Sequence, residues 1–438
     1  MIAPLPEGER AHFLEVVVQD APDDDPVLVM ESETLYNLKG TVSTDPEHVV
    51  PIGKARVARE GKDVTIVSWS RLVHVSLEAA EALAKEGIDA EVIDLGDATL
   101  LPGFIDAHTH LSMEISNDWK QDELDGLKTT VAERTLKAAQ FARITLMTGF
   151  TTVRDVGSSD FIDVGLRDAI AKGYTQGPRM MVAANAIGAT GGHCDPTGGY
   201  RPGAVGGDEP SISSGVANGP DQVRAAVRYA VKYGADVIKT CATGGVLSLA
   251  DAVDTPQFTQ AELDALVDEA HALGRKTAAH AHGATGAKRA IRAGIDSIEH
   301  GTFLDDEALQ LMKQKGTVLV PTLMALEGLR EHLAADKGIP AQVAEKARAA
   351  ASKAGDVVRR AAALGVIVGF GTDAAVYPHG RNTEEFARLV EAGLSPAKAL
   401  LAATSIDAKL LGLEPQIGTL EAGKRSDVVA VSGNPLQD

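Results

Sequence analysis

From about Leu100 onward, short β-branched apolar runs alternate with amphipathic stretches, and Gly, Pro and Asp mark the junctions. That rhythm is the signature of repeated βα units. Eight runs predict strands: LLPGFIDAHTHL (100–111), TTVRDVG (151–157), RMMVAANAIG (179–188), ADVIKTCA (235–242), KTAAHAHG (276–283), IDSIEHG (295–301), TVLVPTLMA (317–325) and VIVGFGTDA (366–374). Helices are expected between them. PDQVRAAVRYAVKYG opens with Pro220 in its first turn, and TQAELDALVDEAHALG carries Thr259 as its cap and Gly274 as its stop. Eight units predict an α/β fold of the (β/α)8 TIM-like barrel type. The alternative is an open doubly wound sheet, but no glycine-rich dinucleotide fingerprint follows the first strand.

Two stretches break the rhythm. Residues 189–219 are polar and rich in glycine, which predicts a functional loop over the mouth of the barrel. Residues 1–95 carry a separate βαβ pattern: DVTIVSWS, the helix LVHVSLEAAEALAKEG, then DAEVIDL. The composition, 438 residues with 44% hydrophobic and 24% charged, is that of a soluble globular enzyme and excludes disorder, collagen and coiled coil. A formal charge of -19 argues against nucleic acid and anionic membrane as partners. With Cys194 and Cys241 the only cysteines, neither a disulfide framework nor a cysteine-rich zinc module is expected, and both read as bystanders. Any metal must then be held by His, Asp, Glu or Lys. The start MIAPLPEGER has no basic stretch followed by an apolar run, so the chain reads as cytoplasmic as written, and as secreted or periplasmic if a signal peptide has been removed.

The candidate chemistry gathers at the carboxyl ends of the predicted strands, the face where barrel enzymes build their sites. The first strand ends in Asp106-Ala107-His108-Thr109-His110, and the period of two turns both imidazoles to one side. Taken alone, such a pair also fits two partly buried histidines with backbone partners. The fifth strand repeats the spacing with His280 and His282, the sixth ends in Glu299-His300-Gly301, and the eighth in Gly371-Thr372-Asp373. Five of the twelve histidines therefore fall in three strand ends, which filler histidines would not do. Lys239 closes an apolar run on the fourth strand. It either snorkels to solvent or is held neutral or converted to an anionic carbamate.

His108-x-His110, Lys239, His280, His300 and Asp373, on strands one, four, five, six and eight, resemble the binuclear-metal amidohydrolase superfamily. The segments GFTTVRDVG, ADVIKTCATGGV, AAHAHG, SIEHG, GFGTDA and GTLEAGKRSDVVAVSGNPL resemble its prolidase-like branch, over about residues 92–438. That branch includes metallo-dipeptidases, carboxypeptidase-like N-acyl amino acid hydrolases and amidohydrolases acting on ochratoxin. The resemblance implies that His108, His110 and Asp373 hold one divalent ion and His280 and His300 the other. Zinc is the expected metal, and Lys239, carboxylated by carbon dioxide, and a bridging hydroxide would join the two ions. Asp373 would carry the proton to the leaving amine. The substrate implied is a small dipeptide or N-acyl amino acid amide, cleaved at its C-terminal amide bond.

Other side chains remain open between two roles. His282 is a substrate or oxyanion contact, or a structural neighbour of the ligands. His193, in Gly191-Gly192-His193-Cys194-Asp195, closes over the substrate or is an exposed loop histidine. Arg154 forms a structural ion pair or recognises a carboxylate. His271, His332 and His379 lie in helix or loop text, with only His379 near the mouth. The N-terminal text DPVLVMESETLYNLKG, with the βαβ run after it, resembles the β subunit of thiamine-dependent 2-oxo-acid dehydrogenases. Only a fragment is present, so no thiamine chemistry is expected. The chain reads as a join near Val92–Leu95, with an atypical segment 1–95, a hydrolase barrel 96–413 and a C-terminal β segment 414–438. The β-sandwich that normally accompanies such barrels is expected to be truncated, with edges prone to homo-oligomeric association. A catalytically impaired chimeric scaffold is the competing functional reading.

Overall fold

A computed structural model describes residues 55–69, 71–96, 98–201, 210–335, 338–353 and 355–437. The chain divides into two units. One holds the described residues up to Leu101 with those from Ala430 onward, and the other is Pro102–Val429.

In the first unit, β1 (Arg56–Arg59) and β2 (Val64–Ser68) precede a helix at Arg71–Lys85 and β3 (Ala90–Asp94). β2 and β3 pair in parallel, so the βαβ pattern in the sequence forms as expected. β1 adds antiparallel to β3, giving the order β1-β3-β2. The helix covers one face through Val73 and Ala80, which pack on Ala90 and Val92, while Val57 and Val64 stay exposed. The DPVLVMESETLYNLKG segment lies outside the described residues. β4 (Thr99–Pro102) pairs with a strand at Val428–Val431 in a two-stranded sheet, and the Thr99 hydroxyl donates to the Gly433 carbonyl at 2.7 Å.

The second unit alternates parallel strands with helices. β5 (Phe104–Thr109), β6 (Phe150–Asp155) and β7 (Arg179–Val182) form one sheet. β8 (Val237–Cys241), β9 (Lys276–Gly283), β10 (Ser297–Phe303) and β11 (Val318–Val320) form another, in the order of the chain. Single parallel bridges join Ile187 to Thr240, Leu319 to Val368 and Thr109 to Ala374. Both helix signals hold: Gly219–Lys232 has proline in its first turn, and Thr259 forms a capping box with Glu262 at the start of Gln260–Ala272.

Four expected strands differ from the pattern, each for a local backbone reason. The first is two strands, separated at Gly103. The third ends at Val182, because Ala184 takes a left-handed φ of 58°. The seventh ends at Pro321 and Thr322 (φ 49°) and turns into the helix Leu323–Ala335. The eighth, 366–374, forms only isolated bridges among the described residues, because Asp373 (φ 57°) and Ala375 (φ 140°) turn the chain out of the extended region. Gly371 is required there by close approach, since a Cβ at that position would lie 2.3 Å from Val320 and 2.8 Å from His108.

Candidate metal centre

The strand ends bring the expected residues together. His108 and His110 have ring centroids 5.4 Å apart, and Asp373 Oδ1 lies 3.5 Å from His108 Nε2 and 3.4 Å from His110 Nε2. The His300 ring is 5.0 Å from His108 and 4.6 Å from His280. Two groups offer ligand atoms all within 4.8 Å of one another: His280, His282 and His300, and His108, His300 and Asp373. His282, set apart by the sequence as a second member of its pair, thus stands among the clustered imidazoles. Asp373 and His300 (φ 69°) both adopt left-handed backbone that non-glycine residues rarely take. At His300 this twist lets two consecutive residues, Glu299 and His300, both reach His108.

Each imidazole has a partner on its far nitrogen. His110 donates from Nδ1 to the Gly157 carbonyl at 2.8 Å, and His280 donates from Nε2 to the Gly244 carbonyl at 3.1 Å, leaving its Nδ1 free. His300 Nδ1 pairs with the Thr322 hydroxyl at 2.7 Å and His282 Nδ1 with the Thr302 hydroxyl at 2.9 Å. His108 Nδ1 lies 2.7 Å from the Glu299 carboxylate. Burial pushes all five histidines down from their ordinary value, to about 4 for His110 and about 3 for His282. They are therefore neutral near pH 7, and each keeps one lone pair. Lys239 is buried on β8 and lowered by desolvation to about 8, against the opposing pull of Glu299 and Asp373. Asp373 is raised by burial to about 6, against the pull of Lys239.

Beside these groups opens a cavity of about 870 Å³. Met113, Ile115, Val246, Leu247, Leu326 and Leu329 give it an apolar wall, and Ser158, Asn185, Ser213 and Ser214 a polar one. The expected loop histidine, His193, is half-buried in the cavity lining and stacks on His280 with centroids 4.2 Å apart. Its backbone N–H donates to Gln257 Oε1 at 2.9 Å.

One sequence reading changes, and others left open between two roles are resolved. The cysteines are not bystanders, because a disulfide joins Cys194 in the loop to Cys241 at the end of β8, with Cα atoms 5.9 Å apart. Loop 189–201 and a strand too distant in sequence to suggest pairing are thereby tied. Arg154 does form a buried ion pair, and its partner is Glu299 at 2.8 Å. Glu299 was visible in the sequence only as the neighbour of His300, and strand alternation would have turned the two apart. His271 pairs with Asp296 on the surface, whereas His332 and His379 are buried against the carbonyls of Val376 and Met113.

Neutral imidazoles, a carboxylate and a buried lysine at parallel strand ends define a class first, proteins with a donor set suited to divalent metals at the face where barrel enzymes work. The chain belongs to the Amidohydrolase family, whose model matches residues 99–438, and its parallel sheets and helices are of that family's α/β TIM-barrel type. It is 34% identical over 355 residues to the ochratoxinase of Aspergillus niger, covering 77% of this chain and 71% of that protein. A crystal structure of a Xaa-Pro dipeptidase with bound methionine in the active site matches at 46% identity and a TM-score of 0.76, over 79% of this chain and 84% of that one. Residues 53–101 instead match the transketolase C-terminal domain model. The chain is also 51% identical over 112 residues to the pyruvate dehydrogenase E1 component subunit beta of Dictyostelium discoideum, covering 25% of this chain and 30% of that protein. Two parts with different relatives are thus joined in one chain. No described helix is long and apolar enough to cross a membrane.

Proposed function

We propose that this chain hydrolyses the C-terminal amide bond of dipeptides and N-acyl amino acids, ochratoxin-like amides included, at two divalent cations, with zinc the preferred metal. The observation that carries the reading is the convergence of neutral imidazoles, Asp373 and Lys239 beside one cavity. The donor set fits such ions, since every imidazole keeps a lone pair and the remaining donors are oxygen or nitrogen. His108, His110 and Asp373 would hold one ion and His280 and His300 the other, with Lys239 shared between them as a carbamate. A lysine lowered to about 8 supplies the neutral amine that adds carbon dioxide with loss of a proton. Bound there, the cations would polarise the scissile carbonyl and make water acidic enough to attack near neutral pH.

Asp373, raised to about 6, takes a proton on its carboxylate and passes it to the leaving nitrogen. His282 and His193 contact the substrate, a role supported by their place in the cavity lining. The apolar wall supports a bulky acyl or side-chain group, and the names of the relatives, an ochratoxinase and a Xaa-Pro dipeptidase, support the bond class. Residues 96–413 form the (β/α)8 barrel in this reading, with the three single bridges supporting its closure. Segment 1–95 is an addition and 414–438 a C-terminal β segment. The partner is a small amide substrate, with neither nucleic acid nor membrane, in a homo-oligomer. The competing reading, an impaired chimeric scaffold, draws on the foreign relatives of residues 53–101. Metal analysis with zinc-dependent release of amino acids from a panel of dipeptides and N-acyl amino acids decides. Two metals per chain and release support hydrolysis, whereas a metal-bearing but inert chain supports the scaffold.

A further inference from the structure

Arg154, Ser297 and Glu299 form a buried polar chain that ends on His108, and none of the steps above uses it. Ser297 and Glu299 share a face of β10 by the period of two, and Arg154 reaches them from β6. Glu299 Oε1 accepts from Arg154 Nη2 at 2.8 Å and from the Ser297 hydroxyl at 2.5 Å, and Oε2 faces His108 Nδ1 at 2.7 Å. Arg154 also donates from Nη1 to the Ser297 hydroxyl at 3.0 Å and from Nε to the Ala107 carbonyl at 2.5 Å, next to His108 itself. Arg154 is 1% exposed and Glu299 fully buried, so the guanidinium is spent on internal partners and is not offered to a substrate.

We infer that Glu299 is a positioning residue, whose carboxylate, fixed by Arg154 and Ser297, holds His108 as the tautomer protonated on Nδ1 and aims the Nε2 lone pair at the cluster. The inference rests on the reading of His108 as a metal ligand. A buried neutral imidazole carries one proton, and placing it on Nε2 would set the Nδ1 lone pair against an anionic oxygen at hydrogen-bond distance. The other imidazoles of the cluster lean on carbonyls or hydroxyls, and a hydroxyl accepts either tautomer. Asp373 stands near the Nε2 atoms of both His108 and His110, but on the nitrogen turned away from it only His108 faces a carboxylate. That carboxylate fixes its tautomer, makes Nε2 more basic and stops the ring from turning. The anion is tolerated in this place because Arg154 neutralises it.

Long-range 1H–15N spectra of metal-free, full-length protein labelled at histidine test the tautomer directly, with the His108 signals assigned by their loss in His108→Asn. A protonated Nδ1 and bare Nε2 are expected, and the opposite pattern overturns the inference. In Glu299→Gln, the amide must present either its NH2 to His108 or an NH2 to Arg154. The tautomer should become mixed, and affinity for zinc alone, by calorimetric titration, should fall about 10–100-fold. A folded variant with the wild-type tautomer and affinity also overturns it. Should the variant fail to fold, the wild-type spectrum decides. Wild-type protein that binds no zinc, yet shows His108 protonated on Nδ1, removes the metal reading and leaves the tautomer assignment standing.

Discussion

A lysine closing the apolar run Val237-Ile238 is costly unless its environment repays the lost hydration, and the lowered value of Lys239 records that cost. Lys239→Ala should lose most of its bound metal and drop in kcat/KM by roughly a hundredfold or more. Short carboxylates that mimic the proposed carbamate should restore part of the activity. Full zinc occupancy and rate in this variant would rule out the bridging role. Asp373 has a separate part in the proposed mechanism. Asp373→Asn should keep at least one metal while turnover falls by about 10²–10⁴, since an amide cannot carry the proton to the leaving nitrogen. Turnover at the wild-type level would remove Asp373 from the mechanism. Both residues occupy positions whose burial or backbone is unfavourable in isolation, so their surroundings must hold them there.

At the scale of elements, the cavity depends on segments with little regular structure. The loop after β8 carries Val246 and Leu247 of the apolar wall, and Lys346, from the helix Ala341–Ala351, ties it down. Lys346 Nζ donates to the carbonyls of Gly245 at 2.7 Å, Ser248 at 2.6 Å and Asp251 at 3.1 Å. Asp251 accepts in turn from Gln257, which holds the backbone of His193. Lys346→Met frees these carbonyls and should cost about 1–3 kcal/mol of stability. KM should rise severalfold with metal content unchanged, because the wall loosens while the ligands stay. An unchanged KM would show that the loop is held by its own contacts. The Cys194–Cys241 bond is the second tether. Protein denatured without reductant should yield no free thiol, and detecting both thiols at that stage would remove the tether.

Over the whole molecule, the two units differ in how much they bury. Among the described residues, the core of the first is Val73, Ala80, Ala90 and Val92 under one helix, and its three-stranded sheet has exposed Val57 and Val64. So small a core opens at lower free energy than one built from many buried strands. Brief protease treatment is expected to remove residues up to about 94–101 first, leaving Pro102–Val429 and its hydrolase activity intact. Hydrogen exchange should show the same boundary. If the N-terminal unit resists cleavage as long as the rest, it is not an independent, weaker body.

The sequence by itself determined the βα rhythm, the helix caps at Thr259 and Pro220, the foreign character of the N-terminal segment and the family of the chain. All of these rest on local periodicity, capping chemistry or short strings of residues, which the chain carries wherever it folds. It also marked His108, His110, Lys239, His280, His300 and Asp373, because strand ends are recognisable and polar groups there are conspicuous in apolar text. Tertiary structure alone decided which groups meet across strands. The Glu299–His108 bond spans 191 residues, the Arg154–Glu299 pair 145, and the Cys194–Cys241 bond 47. No local pattern encodes such separations. The left-handed backbone at His300 and Asp373 overrides the strict alternation from which a strand's faces are read, and it is this twist that sets Glu299 and His300 against the same imidazole.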